Sequence, residues 1–165
     1  MIYGIGTDLC DVGRIEKSIA RPAFLQHVYT PAEQELIVAH TGKKQAETAA
    51  ANFAAKEAFL KACGTGLSGF SMAEIAALRQ PSGAPYLEFT GKAARFMAQN
   101  QLQAHLSLTH EAGLAGAFVV LERVINGLPQ AVKHGKAFVW FAVHFKAPPR
   151  RMETLLIAAN AANHL

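Results

Sequence analysis

The feature that most constrains the fold is the stretch from Asn52 to Gly66, which is typical of a helix ending in a glycine-rich turn. On a 3.6-residue wheel, one half of this helix is continuously apolar, while the other half mixes charged with large apolar side chains. The apolar half comprises Ala54, Ala55, Ala58, Phe59, Ala62 and Cys63, and the mixed half comprises Phe53, Lys56, Glu57, Leu60 and Lys61. An ordinary solvated face would not carry two bulky apolar side chains. The pattern therefore predicts a face that meets a ligand or a second subunit.

Composition sets the limits for this helix. With 165 residues, of which 51% are hydrophobic and 17% charged, the chain is long enough for one domain with a core. No apolar run approaches the roughly 20 residues that span a bilayer, and the N-terminus lacks the basic-then-apolar order of a signal peptide. Cys10 and Cys63 are too far apart for a metal motif or a disulfide framework. We therefore expect a cytoplasmic enzyme or binding protein without a membrane partner.

The net charge of +4 is unevenly distributed along the chain. Residues 1–122 have a net charge of −1, whereas residues 123–165 have a net charge of +5. The pI near 9.2 therefore reflects the C-terminal segment, and it does not predict nucleic-acid binding by the main body.

Local signals predict the elements of the first half of the chain. Asp11 is a candidate N-cap, and Thr30-Pro31-Ala32-Glu33 is a capping box with proline at the first helical position. The predicted elements are a strand over Met1–Thr7, a helix from Asp11 to Ala20, a short helix from Thr30 to about His40, a basic turn at 41–44, and a long helix from about Gln45 to Cys63.

The second half alternates between turns and short periodic segments. Residues 71–79 fit a strand or a helix equally well by periodicity, and Pro81–Pro85 is a turn. The remaining predictions are a strand over Tyr86–Phe89, a helix over Gly91–Gln101, and strands over His105–Thr109 and Ala115–Glu122 joined through residues 111–114. Helices that interrupt a mostly antiparallel set of strands indicate an α+β architecture.

The first strand presents an unusually bare face. Alternation places Ile2, Gly4, Gly6 and Asp8 on one side. The two glycines allow another backbone or a ligand to approach closely, with Asp8 at the end of the track. The alternative is that the glycines serve tight packing only and that Asp8 is a turn or capping residue.

A third cluster is His105-Leu106-Ser107-Leu108-Thr109-His110. Alternation puts His105, Ser107 and Thr109 on one side of the strand, and His110 falls at its end. Three polar groups followed by a histidine are consistent with a site, although a histidine in this position can also be structural.

These three stretches together resemble a known family. Gly4-Ile5-Gly6-Thr7-Asp8-Leu9 with Arg14-Ile15, then Phe53-Ala54-Ala55-Lys56-Glu57-Ala58 with Lys61-Ala62 and Gly64-Thr65-Gly66, then Ser107-Leu108-Thr109-His110 are similar to the three motifs of the holo-[acyl-carrier-protein] synthases. These are small, single-domain 4′-phosphopantetheinyl transferases. The resemblance covers residues 1–122 and leaves residues 123–165 as a basic extension outside it. It implies the transferase-like α+β fold, a mostly antiparallel sheet packed with one long and several short helices.

The resemblance also implies an activity in fatty acid and lipid biosynthesis. Enzymes of this family transfer the 4′-phosphopantetheine arm of coenzyme A to a serine of apo acyl carrier protein and release adenosine 3′,5′-bisphosphate. Asp8 and Glu57 match the carboxylates that bind Mg²⁺ in the family, and a hard cation that bridges phosphate oxygens suits this chemistry. The alternative for Glu57 is an i,i+4 ion pair with Lys61, worth only about 0.3–0.5 kcal/mol.

The other catalytic residues implied by the resemblance are Lys61 and His110. Lys61, one turn from Glu57, would stabilise phosphate charge or protonate the departing phosphate, unless it is simply a solvated lysine. His110 would accept the serine proton or bind a phosphate. A metal-bound water or Glu57 are alternative bases, and the sequence does not decide among them.

Binding of coenzyme A would use further residues. Those implied by the resemblance are Lys43, Lys44, Lys61, Gly64, Thr65, Pro85, Thr109 and His110. For Lys43 and Lys44, a solvated basic turn is the alternative. Asn52 departs from the family pattern, since many relatives have arginine there. If that arginine binds phosphate, this chain lacks one charge-assisted contact.

Two macromolecular partners are also expected. Acyl carrier proteins are acidic, and Arg14, Lys17 and Arg21 recur at i, i+3 and i+7 on one predicted helical stripe, with Phe24 and Leu25 as an apolar anchor just beyond. A basic stripe favours encounter and orientation, although it is also compatible with ordinary solubility charge. The resemblance further implies a homotrimer with active sites between subunits, to which Phe53 and Leu60 would contribute.

Two classes of function follow from these observations. The first is the Mg²⁺-dependent transferase, acting on acyl carrier protein or a related carrier domain. The second is a non-catalytic, carrier-protein-binding trimer of the same fold, for which Asn52 is the only support. In the extension, a strand at 137–143 and a helix at 153–162 are predicted without a catalytic role.

Overall fold

The computed structural model describes residues 1–64, 66 and 69–124. In the first half the elements are β1 (Ile2–Asp11), α1 (Val12–Ile19), α2 (Pro22–Val28), α3 (Pro31–Val38) and α4 (Gly42–Cys63). In the second half they are β2 (Ile75–Arg79), β3 (Pro85–Phe89), α5 (Gly91–Gln99), β4 (Leu102–Glu111) and β5 (Leu114–Arg123). The strand and helix predicted in the extension lie outside the described residues.

The described strands form two antiparallel sheets. One has the order β1-β5-β4, and the other pairs β2 with β3. The register aligns Asp8 with Ala117 and Leu108, and it aligns Arg79 with Pro85. The predicted α+β architecture is confirmed. None of the helices in the described ranges is long and apolar enough to cross a membrane.

The local capping and turn signals are confirmed. The Asp11 side chain accepts a hydrogen bond from the Arg14 backbone at 2.7 Å, and Thr30 and Glu33 form a complete capping box. The β4–β5 hairpin turns through Ala112 and Gly113, which have φ values of 52° and 81°. Two successive positive φ values match the right-handed twist of the flanking strands.

Several boundaries differ from the sequence prediction. β1 extends through Asp11, so Asp8 lies inside the strand. α4 already begins at Gly42, so the predicted basic turn at 41–44 is wrong. Residues 71–79 contain a short 3-10 turn at Met72–Glu74 followed by β2. α1 ends at Ile19 and Arg21 caps α2, so Arg21 does not continue the stripe of Arg14 and Lys17 on one helix.

The bare face of β1 packs against the backbone of α4. A Cβ atom on Gly4 would overlap the carbonyl oxygen of Ala62, and one on Gly6 would overlap that of Ala58. The close approach predicted from the two glycines is therefore made by α4, which meets the sheet through small residues. Packing at this distance is possible only without side chains on either glycine.

Two side chains of the mixed half of α4 are covered by the chain itself, which corrects the prediction that this whole half meets a ligand or a second subunit. Lys56 and Leu60 are fully buried within the chain. Phe53 is half-buried and stacks on Phe24, with ring centroids 6.4 Å apart. A helical wheel shows which side chains share a face of the helix, but it does not show how many other elements pack around that helix. α4 contacts α1, α3, β2 and β4 in addition to β1 and β5, so it has no free face for Leu60.

We expect Gly6→Ala to destabilise the fold strongly. The new methyl group would meet the Ala58 carbonyl and also lie 2.6 Å from the Ala62 nitrogen, and overpacking costs on the order of 1–3 kcal/mol or more. Thermal unfolding would measure the change. Gly13→Ala is the matched control, since its methyl group would meet only an Asp11 oxygen at 3.5 Å. In α1 the control change should stabilise by about 0.5–1 kcal/mol. Equal melting temperatures for Gly6→Ala and the unmodified chain would contradict the close packing.

Candidate active site

Asp8 and Lys61 meet at the contact between β1 and α4. The Lys61 Nζ donates to an Asp8 carboxylate oxygen at 2.8 Å and to the Thr7 carbonyl at 2.9 Å. The ammonium is half-exposed, so as an ion pair this contact contributes no more than about 1 kcal/mol. The ion pair matters more for position than for stability. It holds the Lys61 ammonium and the Asp8 carboxylate together at the solvent-accessible end of the contact between β1 and α4.

Glu57 completes a pair of carboxylates. Its side chain is half-buried, and none of the described residues offers it a hydrogen-bond or ion-pair partner. Burial raises the pKa of Glu57, and the Asp8 carboxylate raises it further, while Lys61 and Arg14 oppose the shift. The i,i+4 pair of Glu57 with Lys61 that the sequence allowed is therefore replaced by the pair of Lys61 with Asp8.

Two carboxylates are too few to enclose a metal ion by protein ligands alone, but they suit Mg²⁺. Among the described residues no group of three or more histidine, cysteine or acidic side chains forms a cage. Mg²⁺ is commonly held by one or two carboxylates together with substrate phosphates and water. Asp8 and Glu57 supply two carboxylates whose mutual repulsion a divalent cation would relieve.

Arg14 also belongs to this neighbourhood, which the sequence did not predict. Its guanidinium lies 3.9 Å from the Cys10 sulfur, and it lowers the pKa of Glu57. Arg14 sits in the first turn of α1, directly after β1 ends. The motif spacing between Asp8 and Arg14 was the available signal. Cys10 and Cys63 are both free and buried.

His110 and Thr109 occupy opposite faces of the three-stranded sheet. His110 shares the α4 side with Asp8 by register, whereas Thr109 shares the opposite side with Gly116 and Leu9. Because β5 lies between β4 and β1, the two outer strands are roughly 10 Å apart. His110 makes no hydrogen bond with Asp8, Glu57 or Lys61 within the described chain, and its catalytic role stays a prediction.

The residues predicted to hold coenzyme A are dispersed. Lys43 and Lys44 are in the first turn of α4, where Lys43 pairs with Glu47 at 3.4 Å. They lie roughly 20 Å along the helix axis from Glu57. Gly64 ends α4 with a φ of 71°, and Pro85 opens β3. Thr65 lies outside the described residues. Among the predicted coenzyme A ligands that the structure describes, only Lys61 lies beside both carboxylates.

The predicted carrier-protein surface is partly packed. Arg14 and Lys17 are exposed on α1, while Ile15 and Ile19 of the same helix point into the core. Arg21 lies over the ring of Phe24 at 5.9 Å. Phe24 and Leu25 are half-buried against the core, so only part of each side chain is available to a partner.

Sequence reasoning missed a buried polar cluster on the far side of α4. The Lys56 ammonium donates to Glu33 at 2.6 Å and to the Val28 and Met72 carbonyls at 2.6 and 2.9 Å. Burial lowers the pKa of Lys56, and the Glu33 carboxylate opposes this shift. Breaking such a fully buried pair by removing one partner costs about 3–5 kcal/mol. The capping box at Thr30 was the only sequence signal that pointed to Glu33.

Asn52 belongs to the same cluster and is fully buried. Its side-chain nitrogen donates to Glu33 at 3.2 Å and to the Ala77 carbonyl at 2.8 Å. Its oxygen accepts a hydrogen bond from Arg79 at 3.0 Å. Every polar atom of the Asn52 amide therefore has a partner within the chain.

The profile of the 4′-phosphopantetheinyl transferase superfamily matches residues 4–119. The chain belongs to this superfamily. Over 132 residues it is 45% identical to a holo-[acyl-carrier-protein] synthase of Methylobacterium sp. (strain 4-46), which covers 74% of this chain and 95% of the relative.

Solved structures of the superfamily have the same fold. A holo-(acyl-carrier-protein) synthase from Bacillus anthracis str. Ames, in complex with CoA (3′,5′-ADP), matches with a TM-score of 0.65 and 34% identity, covering 75% of this chain and 99% of that one. A Helicobacter pylori holo-[acyl-carrier-protein] synthase in complex with coenzyme A gives a TM-score of 0.61 at 30% identity, with 72% and 99% covered. The family, fold and enzyme class expected from the sequence are confirmed. Asn52 no longer supports the non-catalytic alternative, because it has a structural role of its own in this phosphopantetheinyl transferase.

We expect Glu57→Gln to stabilise the metal-free transferase at pH 7. A carboxyl whose folded-state pKa is raised adds stability below its unfolded value near 4.5. That stability is lost as the pH rises through the folded pKa. Replacement by a neutral amide removes the loss, so the melting temperature of the variant should exceed that of the unmodified chain at pH 7 and converge with it at pH 4. Glu35→Gln, on the exposed side of α3, is the control. A lower melting temperature for Glu57→Gln at pH 7 would count against the repulsion between the two carboxylates.

Proposed function

We propose that this chain transfers the 4′-phosphopantetheine arm of coenzyme A to a serine of apo acyl carrier protein, with Mg²⁺ held by Asp8 and Glu57. The observation that carries the proposal is the pair of carboxylates beside Lys61 at the β1–α4 contact. The Bacillus anthracis relative is in complex with CoA (3′,5′-ADP), and the Helicobacter pylori relative is in complex with coenzyme A. Those names support the same substrate for this chain.

The reaction replaces one phosphorus–oxygen bond by another. The serine oxygen bonds to the β-phosphorus of coenzyme A, the pyrophosphate bridge breaks, and adenosine 3′,5′-bisphosphate leaves. When bound, Mg²⁺ supplies positive charge that neutralises the phosphate oxygens. In this proposal Lys61 leaves Asp8 for the departing phosphate, where its ammonium stabilises charge or donates a proton. His110 or Glu57 accepts the proton of the serine hydroxyl.

The remaining assignments rest on the family resemblance. They are Lys43, Lys44, Gly64, Thr65, Pro85 and Thr109 as contacts for coenzyme A. The cytoplasmic location expected from the sequence, and residues 1–122 as the catalytic domain, also stay predictions. A non-catalytic, carrier-binding protein would bind the same partners without turnover.

Intact mass measurement of the carrier protein tests the activity. Apo carrier protein incubated with coenzyme A, Mg²⁺ and the enzyme should gain one phosphopantetheine arm. Asp8→Asn and Glu57→Gln should reduce the rate at least about 100-fold, because each removes one metal-binding charge, while both variants stay folded. Asp11→Asn is the matched control, since this nearby carboxylate serves as an N-cap and asparagine caps equally well. No mass gain with several folded carrier proteins would reject the transferase, and an active Asp8→Asn would reject the metal assignment.

We also propose that the enzyme is a homotrimer. Its subunits would meet through the face of the β1-β5-β4 sheet that lies opposite α4. This face exposes Ile5, Leu9 and Phe118, at 53%, 64% and 46% of their surface. Three large apolar side chains on one open sheet face are typical of an interaction surface. Closure by a three-fold axis comes from the family resemblance.

A charge on that face should dissociate the assembly. We expect Phe118→Asp to yield monomers in light scattering and to lose transfer activity, because an aspartate cannot be buried against an apolar neighbour. Val38→Asp places the same charge on α3, where Val38 is 60% exposed, and should leave the mass unchanged. A monomeric mass for the active, unmodified enzyme would refute the trimer.

The carrier protein should be oriented by the basic side chains of α1 and the start of α2. We expect Lys17→Ala and Arg21→Ala to raise the KM for carrier protein several-fold with little change in the KM for coenzyme A, because rim charges act mainly on encounter. Lys92→Ala, an exposed charge on α5, is the control. Unchanged carrier-protein kinetics in both α1–α2 variants would exclude this surface.

A further inference from the structure

The Arg79 guanidinium is a half-buried cation held by neutral groups. At the end of β2, one of its terminal nitrogens donates to the Asn52 amide oxygen at 3.0 Å and the other to the Leu78 carbonyl at 3.1 Å. No carboxylate of the described residues forms an ion pair with it. A guanidinium has five N–H donors, so three are left over by these two acceptors. Burial lowers the pKa of Arg79, with Glu33 acting in the opposite direction.

A desolvated cation without an anionic contact is costly, and an anionic ligand removes that cost. Glu33 does not serve as this anion, because its two carboxylate oxygens are occupied by Lys56, Asn52, the Thr30 backbone and hydroxyl, and the Ala77 backbone. Arg79 makes no direct contact with Glu33, and the Asn52 amide bonds to both side chains. The spare donors of Arg79 are therefore available to an external anion.

The position of Arg79 indicates which anion. Arg79 faces Pro85 directly in the β2–β3 register, and Pro85 is one of the residues that the family resemblance implies for binding coenzyme A. Through Asn52 the guanidinium is attached to the far side of α4, about 7.5 Å along the helix axis from Glu57. Arg79 thus links the helix that carries Glu57 to a residue expected to contact coenzyme A.

We propose that Arg79 binds a phosphate of coenzyme A, and that Asn52 is the positioning residue that holds its guanidinium. This rests on the proposed function for the identity of the ligand. Many relatives have arginine at position 52, whereas here the guanidinium comes from β2 and position 52 carries the neutral acceptor of its hydrogen bond. An arginine at position 52 would place a second guanidinium group beside Arg79.

Titration calorimetry with adenosine 3′,5′-bisphosphate, without carrier protein, tests the binding. We expect Arg79→Asn to weaken the affinity about tenfold or more, as the loss of a charge-assisted hydrogen bond does. Arg79→Lys keeps the charge without the planar fork and should fall between. Arg95→Asn removes the same charge from the exposed side of α5 and should bind normally. Wild-type affinity in a folded Arg79→Asn would overturn the proposal.

A double variant tests whether the guanidinium can be supplied from position 52 instead of position 79. Asn52→Arg with Arg79→Asn moves the guanidinium to α4 and should recover most of the affinity that Arg79→Asn alone loses. Asn52→Arg alone should be less stable because two cations then meet. A double variant that is folded but binds no better than Arg79→Asn would overturn the role of Asn52.

Two further measurements show which substrate and which phosphate group Arg79 contacts. The KM for coenzyme A should rise in Arg79→Asn while kcat and the KM for carrier protein change little. Comparison with dephospho-coenzyme A identifies the phosphate, since a contact to the 3′-phosphate affects only coenzyme A and a contact to the pyrophosphate affects both. An unmodified chain that binds the nucleotide through Arg79 but transfers nothing would reject the transferase function and leave this proposal standing.

Discussion

The packing of the α4 backbone on Gly4 and Gly6 is the contact on which the rest of the structure depends. Helix and strand approach so closely that a single methyl group on either glycine would overlap a carbonyl oxygen of the helix. At this distance Lys61 reaches Asp8, and the Glu57 carboxylate feels the charge of Asp8. The geometry of the site thus depends on glycine at positions 4 and 6, where any side chain would push α4 away from β1.

The opposite side of α4 is stabilised by a different interaction. Lys56 and Glu57 are neighbours in sequence but face different environments, since Lys56 is sealed against Glu33 and Glu57 points to the half-exposed site. Because the ammonium of Lys56 donates to three acceptors within the chain, it fixes α4 against α3 and the segment before β2. A helix anchored on both sides can hold the Glu57 carboxylate in one orientation.

The accuracy of the sequence-based predictions followed the range of the interactions involved. The caps at Asp11 and Thr30 and the turn at Ala112–Gly113 were predicted correctly because their hydrogen bonds and dihedral angles involve residues within three positions. Leu60 and Lys56 were misassigned because a wheel assumes one buried face. The predicted basic turn before α4 was wrong because Lys43 and Lys44 already belong to the first turn of the helix, which begins at Gly42.

By itself, the sequence determined the caps, the β4–β5 hairpin, the bare track on β1 and the order of three motifs that identify the superfamily. Only the tertiary structure decided which charges are buried. The bonds of Asn52 to Glu33, Ala77 and Arg79 span 19, 25 and 27 residues. Burial and charge pairing depend on atoms brought from distant positions. A pattern of neighbours along the chain cannot report them, and for that reason Asn52 looked like a lost contact in the sequence and is a fully bonded one in the fold.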